Sequence, residues 1–139
     1  MTIEQSIEIA KPVEAVYAII RDLERAPDWQ ASLESVDVQT GKEVRNFGGR
    51  RQESTFVIQE DDPPRRLAIT SEGGSASVRA TFELQPSVNG TRVDFTLDID
   101  LHGVARFAGG MVKGAAQRGA HDDLQRLKEL AEGTPQAAG

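Results

Sequence analysis

One tyrosine, one tryptophan, two histidines and two Asp-Asp pairs are the side chains whose chemistry stands out in this chain, and cysteine is absent. Without cysteine there is no disulfide, no thiolate metal site and no thiol nucleophile. His102 and His121 are too few and too far apart for a His-rich zinc site, although a carboxylate site is not excluded. His102 closes a strand ahead of Gly103, and His121 falls on the polar side of a helix, so both read as ordinary surface residues. No Gly-x-Ser-x-Gly elbow, Gly-x-Gly-x-x-Gly loop or Walker pattern is present. A Ser-His-Asp triad is neither marked nor excluded by spacing. General acid–base work needs carboxylates held in a cavity with shifted pKa. Asp61-Asp62 sits beside Pro63-Pro64 and reads as a solvated turn. Asp123 lies near the inward stripe of a helix: buried, it would need an Arg or Tyr partner, and at the stripe's edge it reaches water or a nearby arginine. No catalytic residue, metal or cofactor is assigned on these grounds.

These side chains must be carried by strands and helices, which the apolar periodicity lays out. Residues 2–10 alternate, with Ile3, Gln5, Ile7 and Ile9 on one side, as in a half-buried strand. Pro12 and Glu14 suit the first turn of a helix. Val13, Val16, Tyr17 and Ile20 then follow at amphipathic helical spacing. Asp22 is a candidate N-cap for a second short helix, which Pro27 ends just before Trp29. From Leu33 the period becomes two. Val36 and Val38 predict a short strand that Gly41 ends, and residues 50–60 predict another. Leu67 and Ile69 mark a strand that Gly73-Gly74 breaks. Ala76 to Leu84 turns Ala76, Val78, Ala80, Phe82 and Leu84 inward, and the next strand does the same with Val93, Phe95, Leu97, Ile99 and Leu101. Asn89-Gly90 between them is a hairpin signal, which outweighs reading Asn89-Gly90-Thr91 as a glycosylation sequon. Val104 to Ala131 predicts one long helix that closes the core.

Composition sets the outer limits. At 139 residues the chain fits a single α+β domain, residues 1–132, with a small polar tail at 133–139. Acidic residues outnumber basic ones, 22 to 16, for a net charge of -6. That balance argues against a general nucleic-acid or anionic-membrane surface. No apolar run approaches a membrane span, and MTIEQSIEIAKPV lacks the pattern of a signal peptide. With no cysteine, a cytoplasmic setting is expected.

The order strand, two short helices, about five strands, long helix resembles the START-like superfamily, also called Bet v 1-like or SRPBCC. The closest flavour is its bacterial polyketide cyclase/dehydrase branch. The resemblance rests on IEIAKPVEAVYAIIRDLERAPDW, on Pro63-Pro64-Arg65-Arg66-Leu67 with Gly90-Thr91-Arg92-Val93, and on Leu124-Gln125-Arg126-Leu127-Lys128. It covers nearly the whole chain. It implies a helix-grip fold: a curved antiparallel sheet of about six strands around the C-terminal helix, with an apolar cavity between them. Relatives include ligand carriers, aromatase/cyclases and other enzymes, so the fold does not name a reaction.

The expected partner is a small hydrophobic molecule, with a cyclase- or dehydratase-like enzyme and a protein-interaction module as alternatives. The cavity would be lined by Phe56, Leu67, Ile69, Val78, Phe82, Phe95 and Leu97 of the sheet and by Met111, Val112 and Ala116 of the long helix. Tyr17 and Trp29 would either orient the ligand near the mouth or plug the core. Gly109, Gly110, Gly114 and Gly119 make the front of the long helix glycine-rich. Because each interior glycine costs up to about 1 kcal/mol relative to Ala, the expectation is that they make room for the ligand.

Overall fold

The structure is a computed structural model that describes residues 1–133. The chain runs β1 (Thr2–Ile9), α1 (Val13–Arg21), a 3-10 helix (Leu23–Asp28), then six strands: β2 (Leu33–Asp37), β3 (Lys42–Phe47), β4 (Arg50–Asp62), β5 (Arg66–Glu72), β6 (Ala76–Ser87) and β7 (Gly90–Leu101). A second 3-10 helix (Gly103–Ala108) leads into α2 (Gly109–Gly133). The seven strands form one antiparallel sheet in the order β1-β7-β6-β5-β4-β3-β2, so the first strand pairs with the last. It curls around α2, whose backbone runs closest to β1. No described helix is long and apolar enough to cross a membrane.

Alternation decides which face of the sheet is dry. The register sets Phe82 opposite both Leu67 and Phe95, and Ile69 opposite both Ile58 and Ala80. Apolar side chains therefore line one face from β7 across to β4. Behind them, α1 and the rear of α2 bury Val16, Ile20, Leu124, Leu127 and Ala131 against Ile9, Leu84 and Val93. A second, smaller cluster holds the front of α2. There Val112, Ala116 and Ala120 meet Ile3, Val78, Leu97 and Ile99.

Several sequence expectations shift. The sheet has seven strands rather than about six, because β3 is not among those that the apolar pattern marks. Its inward positions are Glu43 and Arg45, so it lacks the alternation of a half-buried strand. Val38 lies beyond β2 and is exposed. Asp61 and Asp62 end β4, and the turn proper begins with the cis Pro63-Pro64 bond. Asp22 holds the N-cap position without a side-chain capping bond. Residues 104–108 are 3-10 rather than α-helical, so the long α-helix starts at Gly109. Gly90 opens β7, and a Cβ there would lie 2.2 Å from the Ile9 carbonyl, a close approach that requires glycine. Gly133 ends α2, and the rest of the expected tail lies outside the described residues.

Candidate functional site

β3 places a polar group in an otherwise apolar wall. Glu43 is buried and pairs in register with the buried Ser54. Arg45 lies two residues along the same strand and therefore on the same face. Its Nε donates to Glu43 Oε1 at 3.3 Å, Nη1 to Ser32 Oγ at 3.0 Å and Nη2 to Gln30 Oε1 at 3.0 Å. Ser71 of β5 donates to the same Glu43 oxygen at 3.1 Å. A carboxylate and a guanidinium carried into an apolar wall are expensive unless paired and hydrogen-bonded, and here both conditions are met.

The neighbouring floor is only partly covered. Ile58, Ile69, Val78, Ala80, Phe95 and Leu97 all point inward yet stay half-exposed, whereas Leu67, Phe82 and Phe56 are buried. Each packs on one side against a core cluster and keeps part of its surface open. The cause is the placement of α2. Its front packs on β1, β7 and the end of β6, and Gln5 reaches the Gln117 carbonyl at 3.4 Å. Its middle is tied to the segment after the first 3-10 helix, where Asp123 accepts from the Ala31 N–H at 3.1 Å and Arg126 Nε donates to the Trp29 carbonyl at 3.2 Å. Arg126 also pairs with Asp123 itself. The result is a cleft-like, partly uncovered face over β4–β7, with Trp29 buried behind it and Glu43 and Arg45 at one side.

Trp29 is buried and meets Phe82 edge-on, with ring centres 6.0 Å apart. Phe82 in turn stacks at a tilt on Phe95, at 4.8 Å. The indole N–H of Trp29 is buried with no partner among the described residues, a donor that folding normally satisfies with protein, water or ligand. Tyr17 belongs to the rear core instead of the mouth. Its hydroxyl donates to Asp61 and to the Arg66 carbonyl. Burial, followed by the bond to Asp61, pushes this phenol well above its ordinary range, so it stays protonated and is a poor proton donor at neutral pH.

Of the other expected lining residues, Ile69, Val78, Phe95 and Leu97 stand on the half-open floor. Phe56, Phe82 and Leu67 lie deeper, Leu67 in the rear cluster. Val112 and Ala116 face the sheet from α2. Met111 does not. It is 78% exposed, because the inward stripe runs through residues 112, 116, 120 and 124, and a neighbouring position is rotated by about 100°. Gly110 and Gly119 are exposed and do not make the room expected of them. A Cβ at Gly110 or Gly119 meets nothing within 4 Å, and one at Gly109 meets only Met1, at 3.8 Å. Gly119 lies beside the stripe and is exposed.

Sequence reasoning missed Glu43, Arg45, Ser54 and Ser71. The available signal was the bracketing of Lys42–Phe47 by Gly41 and Gly48-Gly49, which marks a short strand even without apolar alternation. Two depressions lie away from the cleft. One of about 510 Å³ runs between α1 and Pro63-Pro64, and one of about 270 Å³ lies near Glu72, Asp98 and Asp100. At that second end His102 Nε2 is 3.1 Å from Ser77 Oγ, and Ser77 donates to Glu72 at 2.6 Å. Among the described residues no three His, Asp or Glu side chains converge as metal ligands.

A curved antiparallel sheet gripping a long C-terminal helix defines a START-like domain. The chain belongs to the family described as polyketide cyclase / dehydrase and lipid transport, whose match spans residues 1–132. Among solved structures it is similar to the protein TTHA0849 from Thermus thermophilus, with a TM-score of 0.84 and 23% identity over the whole of both chains. It is also similar to the Zhui aromatase/cyclase from Streptomyces sp. R1128, with a TM-score of 0.82 and 17% identity over 100% of this chain and 98% of that one. A START superfamily protein from Mycobacterium smegmatis aligns with a TM-score of 0.75 and 15% identity over 99% of each chain. At these identities the likeness is one of fold.

Proposed function

We propose that this protein binds a small apolar or aromatic molecule that carries one hydrogen-bonding end. The observation that supports this is the partly exposed floor Ile69, Val78, Phe95 and Leu97 beside the Glu43–Arg45 pair. Ligand sites are mostly apolar with a few placed polar groups, and this cleft has that composition. The apolar body would lie on the floor beneath Val112 and Ala116, against Phe56 and Phe82. The polar end would meet Arg45 and Glu43. Both protein donors to Glu43 end on Oε1, which leaves Oε2 for a ligand hydroxyl.

A second reading is a cyclase- or dehydratase-like enzyme, favoured by Glu43, the only buried carboxylate among the described residues. In that role Glu43 would move a proton to or from the bound molecule while Arg45 held the developing oxyanion.

Trp29 is the only tryptophan and stands at the rear of the cleft, so its fluorescence reports on binding directly. Titration with a dihydroxyanthraquinone and with long-chain fatty acids should quench or shift it saturably. Val78→Phe should weaken the response while leaving the thermal transition in place. No saturable change with any probe, together with no bound mass by native mass spectrometry, would count against both readings. Turnover of a bound polyketide-like ketone that Glu43→Gln abolishes without loss of binding would select the enzyme.

A further inference from the structure

The net charge of -6 is unevenly spread. From Leu101 to His121 there is no carboxylate, but there are Arg106, Lys113 and Arg118. From Val44 to Gln52 there is again none, but there are Arg45, Arg50 and Arg51. The fold brings the two stretches to one end of the sheet. Ser75, in the β5–β6 turn, donates to Gln52 at 3.2 Å, and its carbonyl accepts the His102 N–H at 2.9 Å. The β3–β4 tip, the β5–β6 turn and the second 3-10 helix therefore share the open front of the cleft. Arg45 and Arg51 are paired with Glu43 and Glu34. Arg50, Arg106, Lys113 and Arg118 have no carboxylate partner among the described residues.

The same end carries the most exposed large apolar side chains outside the β6–β7 hairpin. Val104 and Phe107 are each 86% exposed, and Met111 and Phe47 also stand in water. Val104, Phe107 and Met111 are spaced i, i+3, i+7, which sets them along one side of the junction between the 3-10 helix and α2. They lie in the second 3-10 helix and the first turn of α2, with Phe47 at the end of β3. Protruding apolar tips ringed by cations fit a headgroup layer, where apolar groups sink in and lysines and arginines meet anionic lipid.

We propose that this end docks on an anionic lipid surface. That the surface is also where the cleft takes up its apolar ligand rests on the ligand-binding reading above. The negative whole-chain charge does not oppose docking, because the carboxylates of this end, Glu72, Asp98 and Asp100, gather around the depression lined by Thr2, Thr70 and Ser77, apart from the apolar tips. Screening acts over about 10 Å at 0.1 M salt, so local charge governs contact.

Co-sedimentation with vesicles of phosphatidylcholine alone, and of phosphatidylcholine with phosphatidylglycerol, tests the inference. Binding is expected to the anionic vesicles, weakening as salt rises. Arg106→Glu with Lys113→Glu should weaken it by about tenfold or more, and Phe107→Ser with Met111→Ser should lower it several-fold. All four positions lie on the surface, so parent-like thermal unfolding is the fold control. Trp29 quenching by the dihydroxyanthraquinone in solution should stay at the parent level in both double variants. Loss of that quenching in the parent would remove the ligand reading and leave the docking result standing. Equal binding to both vesicle types, no binding at low salt, or indifference to both double variants would overturn the docking. So would a concentration-dependent dimer, lost in the Phe107/Met111 variant, in a protein that ignores vesicles: the face would then belong to a second copy.

Discussion

The Tyr17 hydroxyl donates to one oxygen of Asp61 while Arg21 Nε meets the other at 2.8 Å. This pair of contacts ties α1 to the end of β4, beside the Pro63-Pro64 turn. It also explains why the polar tip of the single tyrosine is not free for a ligand, although Tyr17 borders the depression between α1 and Pro63-Pro64: the tip is already engaged, with the Arg66 carbonyl at 3.2 Å as a second acceptor.

The bond to Tyr17, then the one to Arg21, holds the Asp61 carboxyl below its usual range. A carboxylate with a depressed folded-state pKa contributes stability that is present above its unfolded pKa, about 3.9, and is lost as pH falls through the lower folded value. Tyr17→Phe should therefore cost about 1 kcal/mol at neutral pH, a modest figure because the carboxylate is about one-third exposed. The deficit should shrink below about pH 4. Urea unfolding of parent and variant at both pH values measures it, and an equal deficit at both would show that the phenol works through packing alone.

Glu43 and Arg45 are coupled more strongly because both are drawn into the wall, with side chains 9% and 27% exposed. Arg45→Met strands a buried carboxylate and should cost about 2–4 kcal/mol. Glu43→Gln with Arg45→Met removes both charges and should cost less than the sum of the single changes. A double-mutant cycle from chemical denaturation gives the coupling. Additive costs would mean that the two side chains stand independently, and the pair would lose its claim to be a built polar site.

The two halves of α2 should respond in opposite directions. Leu127 is fully buried, and Leu127→Ala should cost about 2–5 kcal/mol. Gly119 is exposed in mid-helix, and a Cβ there meets nothing, so Gly119→Ala should stabilise by up to about 1 kcal/mol. Both shifts are readable from thermal unfolding, with Trp29 quenching recorded in parallel. Stabilisation by Gly119→Ala with unchanged quenching would fit glycines that weaken the helix without shaping the cleft. Loss of quenching would return them to the role expected from the sequence.

Residues with one strong preference were legible in the chain alone. Ala76 to Leu84 and Val93 to Leu101 alternate because one face is dry and the other wet, and the structure pairs them across the Asn89-Gly90 turn in that register. Leu124 and Leu127 marked the anchored rear of α2 by helical spacing alone. Together with α1, these patterns were enough for the helix-grip fold and its family. Glu43 and Arg45 were not legible, because a charged strand facing inward violates the pattern by which strands are recognised. Their burial depends on Ser71, Ser32 and Gln30, which arrive from β5 and from the segment before β2. Met111 and Gly119 were misplaced by about one position, since a helix wheel has no absolute phase until the packing of Val112 and Ala116 against β1 and β7 supplies it. Likewise, composition reports only the sum of charge. The gathering at one end of the sheet of exposed apolar side chains and of cations with no carboxylate partner among the described residues came from two stretches far apart in the chain, and only the folding of the β3–β4 tip beside the entry to α2 brought them together.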